Sequence, residues 1–244
     1  MRSGRFTSVV LCYHAVSTAW DHLLSVRPEA LERQLHLMLA LRYRPAPAEA
    51  VVDGAGRLLH VTFDDAYRSV WNAVPVLERL RVHATVFACS DLAERGTVLS
   101  VPELAAEAHA CSDELGTLDW DGLAELADQH GVEIGSHTKS HARLTMLSDA
   151  ELRAELLESR KRIEDELRRP CRFLAYPYGD HDQRVRAAAR RSGYQAAFAL
   201  PGRTERVDRF ALPRVGIWRH TGTLRTVVKT SPIRRPVGAL RGWQ

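Results

Sequence analysis

The stretch Leu58-Leu59-His60-Val61-Thr62-Phe63-Asp64-Asp65 decides how the chain is read. Its first six residues are largely apolar and β-prone, which predicts a strand covered on both faces, as in parallel sheets. Two adjacent carboxylates follow at the strand's end. Delivering them there is costly unless they bind a cation or accept hydrogen bonds. Capping of a following helix by Asp65 explains the pair equally well, so by itself it does not separate chemistry from structure.

Runs of the same kind lie on either side, at Ser8 to Tyr13, Ala84 to Ala88, Val132 to Gly135, Arg172 to Ala175, Ala196 to Leu200 and Ala211 to Val215. Helical spacing fills the gaps, over Pro28 to Leu41, Val70 to Leu80, Asp121 to Gln129, Asp149 to Leu167 and Gln183 to Ser192. Ser148 and Glu151 form a capping box ahead of the fourth helix, whose apolar stripe is Leu152, Leu156, Ile163 and Leu167. Glu94 to Leu118 is mixed, with a helical pattern over Leu104 to Ala110 between loop-like flanks. The alternation predicts an α/β fold, a distorted (β/α) barrel of about seven parallel strands in a single domain. In such a barrel the active groups gather where the strands' C-terminal ends meet.

A chain of 244 residues, 45% hydrophobic and 26% charged, can bury a sizeable core, which excludes disorder, collagen and coiled coil. No apolar run approaches the roughly 18 residues of a membrane span. Arg2 and Arg5 ahead of Val9-Val10-Leu11 imitate an export signal, but Tyr13 and His14 end the run early and no small-residue cleavage site follows. The stretch reads as a first strand, and the compartment as cytoplasmic. Cys12, Cys89, Cys111 and Cys171 form no Cys-x-x-Cys pair and read as reduced, mostly core residues. The formal charge of +4 is uneven, because residues 209–244 carry eight basic side chains and no acid. Such a tail can bind nucleic acid or touch an anionic membrane surface. Without interleaved aromatics or a nucleic-acid module, a solvated tail is the plainer reading and no nucleic-acid partner is expected.

The run Val132 to Gly135 leads into Ser136-His137-Thr138-Lys139-Ser140-His141. Histidines four apart fall on one face of a helical turn and could grip one metal, although ordinary surface histidines are as good an account of the pair alone. Zincins share this spacing but place Glu beside the first His, where this chain has Thr138. Together, an Asp and two His at successive strand ends would supply three ligands and leave positions open, with the second carboxylate left over as a base. Phe173-Leu174-Ala175-Tyr176-Pro177-Tyr178-Gly179-Asp180 follows another strand, where Pro and Gly allow a turn whose backbone N–H groups can point into a site. An oxyanion hole and an ordinary strand-closing turn are both open there.

At these residues the sequence resembles the polysaccharide deacetylases of carbohydrate esterase family 4. Thr62-Phe63-Asp64-Asp65 is similar to that family's first motif, His137 to His141 to its second, and Tyr176-Pro177-Tyr178-Gly179 to its third, over a resemblance running from about Val9 to Gly216. The resemblance implies Asp64 as general base, Asp65, His137 and His141 as metal ligands, and the Tyr178 N–H as oxyanion donor, with Pro177 and Arg214 counted beside it on the substrate side. Three departures stand out. Ala66 replaces the Gly that usually follows the Asp pair, which narrows the backbone conformations open to that turn. Ala175 replaces an Arg that orients the base, and Arg214 is the candidate substitute. The late Leu-x-His motif that supplies the acid is missing, and Tyr13-His14 resembles the Tyr-His of the poly-N-acetylglucosamine deacetylase subgroup, whose His is the acid.

The resemblance implies a catalytic domain over residues 1–218, a basic tail over residues 219–244, and metal-dependent hydrolysis of the N-acetyl group of an amino sugar. The cofactor would be one divalent metal, with Zn2+ first and Co2+, Ni2+ or Fe2+ compatible with the ligands. Two alternatives remain. One is a hydrolase of another acyl or amide bond, such as O-acetyl or formamide, and the other is a non-catalytic carbohydrate- or nucleic-acid-binding protein.

Overall fold

The computed structural model describes residues 8–54, 56–99, 104, 115–128, 132–200 and 208–230. In chain order its strands are β1 (Val9–Tyr13), β2 (Ala15–Val16), β3 (Ser25–Val26), β4 (Arg44–Pro45), β5 (Leu58–Phe63) and β6 (Ala84–Ala88). They continue with β7 (Val132–Ser136), β8 (Phe173–Ala175), β9 (Ala196–Ala199), β10 (Leu212–Pro213) and β11 (Val215–Gly216). The helices are α1 (Pro28–Ala40), α2 (Ala48–Asp53), α3 (Val74–Leu80), α4 (Ser90–Ala93), α5 (Trp120–Asp128), α6 (Asp149–Leu167), α7 (Gln183–Arg191) and α8 (Thr223–Thr230).

The main sheet runs β10-β9-β8-β7-β6-β5-β1-β11, with β4 beside β5 and parallel pairing throughout the described ladders. The two ends of this order, β10 and β11, are one residue apart in the chain. Leu212 and Pro213 pair with Phe198 and Ala199, whereas Val215 and Gly216 pair beyond Arg214 with Leu11 and Cys12. Arg214 N–H bonds to Ala199 O at 3.0 Å and Ile217 N–H to Cys12 O at 2.8 Å, which draws the two edges together into a nearly closed barrel. The expected single strand from Ala211 to Val215 is therefore two. Pro213 has no N–H with which to continue a ladder, and the chain changes partners there.

Side chains alternate between two buried clusters, as strand geometry requires. Leu11, Tyr13, Val61 and Phe63 pack with Leu31 and Leu35 of α1 and Leu77 of α3. Val10 and Leu58 instead join Phe87, Phe173, Phe198 and Leu212 on the other side of the sheet. Gly135 makes room for this second cluster, since a Cβ there would come within 2.5 Å of the Phe87 ring. His60 is tolerated in the core because both ring nitrogens are paired, with Ala46 O and Thr85 Oγ1 at 2.9 Å each, and burial pushes its pKa down to about 4.

Helix α6 forms as expected, with both halves of the capping box in place. The helix expected from Val70 to Leu80 is interrupted: Arg68–Asn72 forms a 3-10 turn, and α3 starts at Val74 with Pro75 in its first turn. A proline is compatible with that first turn but not with a helix interior. Leu104 is buried, and the remainder of the pattern over Leu104 to Ala110 lies outside the described residues, as does Cys111. Cys12, Cys89 and Cys171 are buried and unpaired with one another. Among the described residues no helix is long and apolar enough to cross a membrane.

The first part of the expected tail is folded onto the body. Gln34 of α1 accepts from the Tyr13 hydroxyl at 2.8 Å and donates to Thr221 O at 2.6 Å, while Lys229 of α8 donates to Gly216 O at 2.8 Å. Arg219 pairs with Asp21 and Arg209 with Asp53. Several of the charges counted in the basic stretch are thus already engaged; residues 231–244 lie outside the described range.

Candidate active site

The register of the sheet assembles the site. Tyr13 of β1 lies opposite Phe63 of β5, so His14 and Asp64 leave the barrel side by side, and Asp64 N–H donates to Tyr13 O at 2.9 Å. β7 delivers His137, whose N–H bonds to Ala88 O at the end of β6 at 2.8 Å. β8 delivers Tyr176 to Gly179, and the junction of β10 and β11 delivers Arg214.

Asp65, His137 and His141 converge, with one donor atom from each lying within 4.8 Å of the others. The Nε2 atoms of His137 and His141 stand 3.5 and 3.3 Å from Asp65 Oδ1. Donors bound at about 2.0–2.1 Å to a tetrahedral ion are separated by roughly 3.3–3.4 Å, so these spacings fit one small divalent ion. Asp65 Oδ1 is buried and has no hydrogen-bond partner of good geometry, a vacancy in its bonding that such an ion would fill. His137 Nδ1 lies 2.9 Å from Ala175 O, which fixes the proton on Nδ1 and leaves the Nε2 lone pair facing Asp65. Burial pushes the His137 pKa down to about 4, so its ring is neutral near pH 7. For Asp65 burial pushes upward, but His141 and His137 outweigh it and hold the carboxyl below its ordinary range.

The histidines do not share a helical turn, as their spacing predicted. They converge through a loop in which Thr138 and His141 adopt left-handed backbone, φ 70° and 65°. Asp65, Ala66 and Tyr178 do the same, at φ 67°, 49° and 58°. Non-glycine residues in this region cost roughly 1–3 kcal/mol each where nothing local favours it, and such strain concentrates where side chains must be aimed. Ala66 occupies its turn in this conformation despite its methyl group.

Asp64 is set apart from the ligand cluster by its partner. Arg214 forms a two-pronged ion pair with it, Nη1 to Oδ1 at 2.6 Å and Nη2 to Oδ2 at 2.8 Å, and Nη1 also reaches Thr62 Oγ1 at 3.1 Å. Cys12 Sγ lies 3.4 Å from Oδ2. Burial alone would raise the Asp64 pKa, but the Arg214 guanidinium and then His137 outweigh it and hold the group well below the carboxylate range. Arg214, counted on the substrate side from the sequence, is 1% exposed and meets Asp64 through both carboxylate oxygens. It is sealed behind Asp64 and orients that carboxylate.

His14 is 9% exposed, its Nδ1 has no hydrogen-bond partner, and its ring stacks on Trp218 with centroids 5.3 Å apart. Tyr178 is 39% exposed and packs edge-on against His141, with the Arg143 guanidinium 4.1 Å from its ring centroid. Pro177 is buried in the short turn before it. Trp218 and Tyr67 carried no motif in the sequence. Tyr67 is wholly buried two residues past Asp65, and burial together with the Asp65 carboxylate pushes its phenol well above the ordinary range. A pattern search could have found Tyr67 by its place beside the Asp pair. Nothing local marks Trp218, which meets His14 only because β11 closes on β1.

Residues 52–197 match the sequence profile of the family described as polysaccharide deacetylase. YxkH of Bacillus subtilis (strain 168), named for the same family, is 25% identical over 218 residues, covering 85% of this chain and 70% of its own. Among solved structures, Streptococcus pyogenes deacetylase PplD in complex with acetate superposes with a TM-score of 0.75 at 22% identity, over 92% of this chain and 98% of that one. A de-N-acetylase from Aggregatibacter actinomycetemcomitans gives 0.72 at 19% identity, over 89% and 97%.

Proposed function

The chain belongs to the polysaccharide deacetylase family, and from that premise we propose that it hydrolyses the N-acetyl group of an amino sugar to the free amine and acetate, using one divalent metal. The observation that carries this reading is the separation of two carboxylates: Asp65 in a cluster of ligand type, Asp64 on an arginine. Relatives of the same fold include one described as a de-N-acetylase and one holding acetate, which agrees with an acetamide as the bond cleaved.

Asp65, His137 and His141 would hold the metal, with zinc first by ligand type and spacing. When bound, the ion supplies a Lewis-acid charge that polarises an acyl oxygen and makes water acidic enough to react near neutral pH. Asp64, kept ionised and aimed by Arg214, takes a proton from the attacking water at a carboxylate oxygen. The Tyr178 N–H is assigned the oxyanion that develops on the acetamide. His14 then gives a proton to the departing nitrogen as the C–N bond breaks, so the sugar leaves as an amine and the acyl group as acetate. Stacking on Trp218 holds the His14 ring in place.

Acetate release from a panel of N-acetylated sugars, with metal content measured alongside, tests the reading. We expect one ion per chain, and release that stops on chelation and returns with zinc. Release indifferent to chelation, or confined to O-acetylated members of the panel, would overturn it. A second expectation concerns His14, because an amine departs far more readily than an amide anion. His14→Ala should lose most amide hydrolysis yet much less on an activated ester, whose leaving group needs no proton. Equal losses on both substrates would remove His14 from the acid role.

A further inference from the structure

The loop carrying the two histidines receives two backbone bonds from the first turn of α4, Ser90 N–H to Thr138 O at 3.3 Å and Asp91 N–H to Lys139 O at 3.0 Å, which hold its carbonyls. Its N–H groups beyond His137 donate to side chains: Thr138 to Ser136 Oγ at 3.0 Å, Lys139 and Ser140 to Glu155 Oε2 at 2.9 and 3.0 Å, and His141 to Thr138 Oγ1 at 3.2 Å. Glu155 Oε1 accepts in addition from the Ser140 hydroxyl at 2.5 Å. One turn further along α6, Ser159 Oγ donates to Thr138 O at 2.9 Å and meets Ser136 Oγ at 2.8 Å. One face of α6 thus grips the loop between the two ligands, and Glu155, 9% exposed, makes three of those bonds.

The two histidines depend on this grip unequally. His137 sits at the end of β7 with its ring fixed by Ala175 O. His141 has no such anchor: its Nδ1 is buried without a hydrogen-bond partner, so the direction of its ring follows from the loop backbone and from packing against Tyr178. That backbone is left-handed at Thr138 and at His141 itself, a conformation residues other than glycine leave readily when nothing holds it.

We infer that Glu155 is a positioning residue for the metal site, holding the loop through the Lys139 and Ser140 amides so that His141 Nε2 faces Asp65 and His137. The inference rests on the reading of those three residues as metal ligands. A carboxylate accepting several amide N–H bonds makes a stiff clamp, because each bond is charge-assisted. Groups that orient a ligand without touching the metal commonly affect its affinity by roughly 10- to 100-fold.

The test is zinc titration into the metal-stripped full chain against a competing chelator, with melting temperatures taken with and without zinc. Glu155→Leu keeps the bulk and removes both acceptor oxygens and so all three bonds, and should weaken zinc binding by roughly 10- to 100-fold and shrink the rise in melting temperature that zinc brings. Glu155→Gln keeps one oxygen for the two amides and should stay within several-fold of the native chain. A folded Glu155→Leu chain with native zinc affinity, its melting temperature lowered equally with and without zinc, would mark a structural role and overturn the inference. Should Glu155→Leu not fold, Ser140→Ala removes only the 2.5 Å bond and is expected to weaken zinc several-fold; unchanged affinity there would overturn the inference too. A native chain that takes up no zinc would instead overturn the ligand reading itself.

Discussion

Asp64→Asn is expected to keep the metal and lose turnover by roughly 100- to 10,000-fold, the usual range for removal of a general base. The cluster proposed to hold the metal is Asp65, His137 and His141, so the substitution leaves it intact. What it removes is the acceptor for the water's proton, since an amide oxygen is not basic enough to take it. It also costs stability, because Arg214 keeps one acceptor where it had two at 2.6 and 2.8 Å. Acetate release and metal content should accordingly be compared at a temperature where both chains are folded. Turnover within a few-fold of the native chain would take Asp64 out of the role.

Arg214→Met should destabilise the fold by about 3–5 kcal/mol, because it leaves the Asp64 carboxylate buried without its counter-charge. The pair is almost fully enclosed, at 0% and 3% side-chain exposure, so solvent does little to screen the loss. Arg214 is also the residue through which the chain passes from one sheet edge to the other, although its backbone bond to Ala199 O survives the substitution. Turnover should fall as well, since no other side chain among the described residues holds both oxygens of Asp64. The double variant Asp64→Asn with Arg214→Met removes both charges and should lose clearly less stability than the two single losses combined. Urea unfolding of the four chains measures this; strictly additive losses would show that the pair is not energetically coupled.

Much of the site was legible along the chain because its parts are local. Asp64 and Asp65 follow directly on a strand recognisable by its apolar run, and the capping box of α6 needs only Ser148 and Glu151 three residues apart. The spacing argument picked out two histidines that do converge with Asp65, but for a different geometry: left-handed turns, not a helical face, bring them together. The break before α3 was also local, since Pro75 could have placed it. The division of Ala211 to Val215 was not local, because it arises only when β10 and β11 find partners at opposite edges of the sheet.

By itself the sequence determined which groups could do chemistry and at which strand ends they stand, because alternation, capping and proline placement act over a few residues and leave a local pattern. The tertiary structure alone decided what each group faces. Arg214 lies 150 residues from Asp64, Trp218 reaches His14 across the closing edge of the barrel, and Glu155 reaches the histidine loop from the middle of a helix with no motif around it. Each of these contacts depends on the register of a closed sheet and the rotation of a helix against it. No short-range pattern encodes either, since both are set by the packing of the whole core.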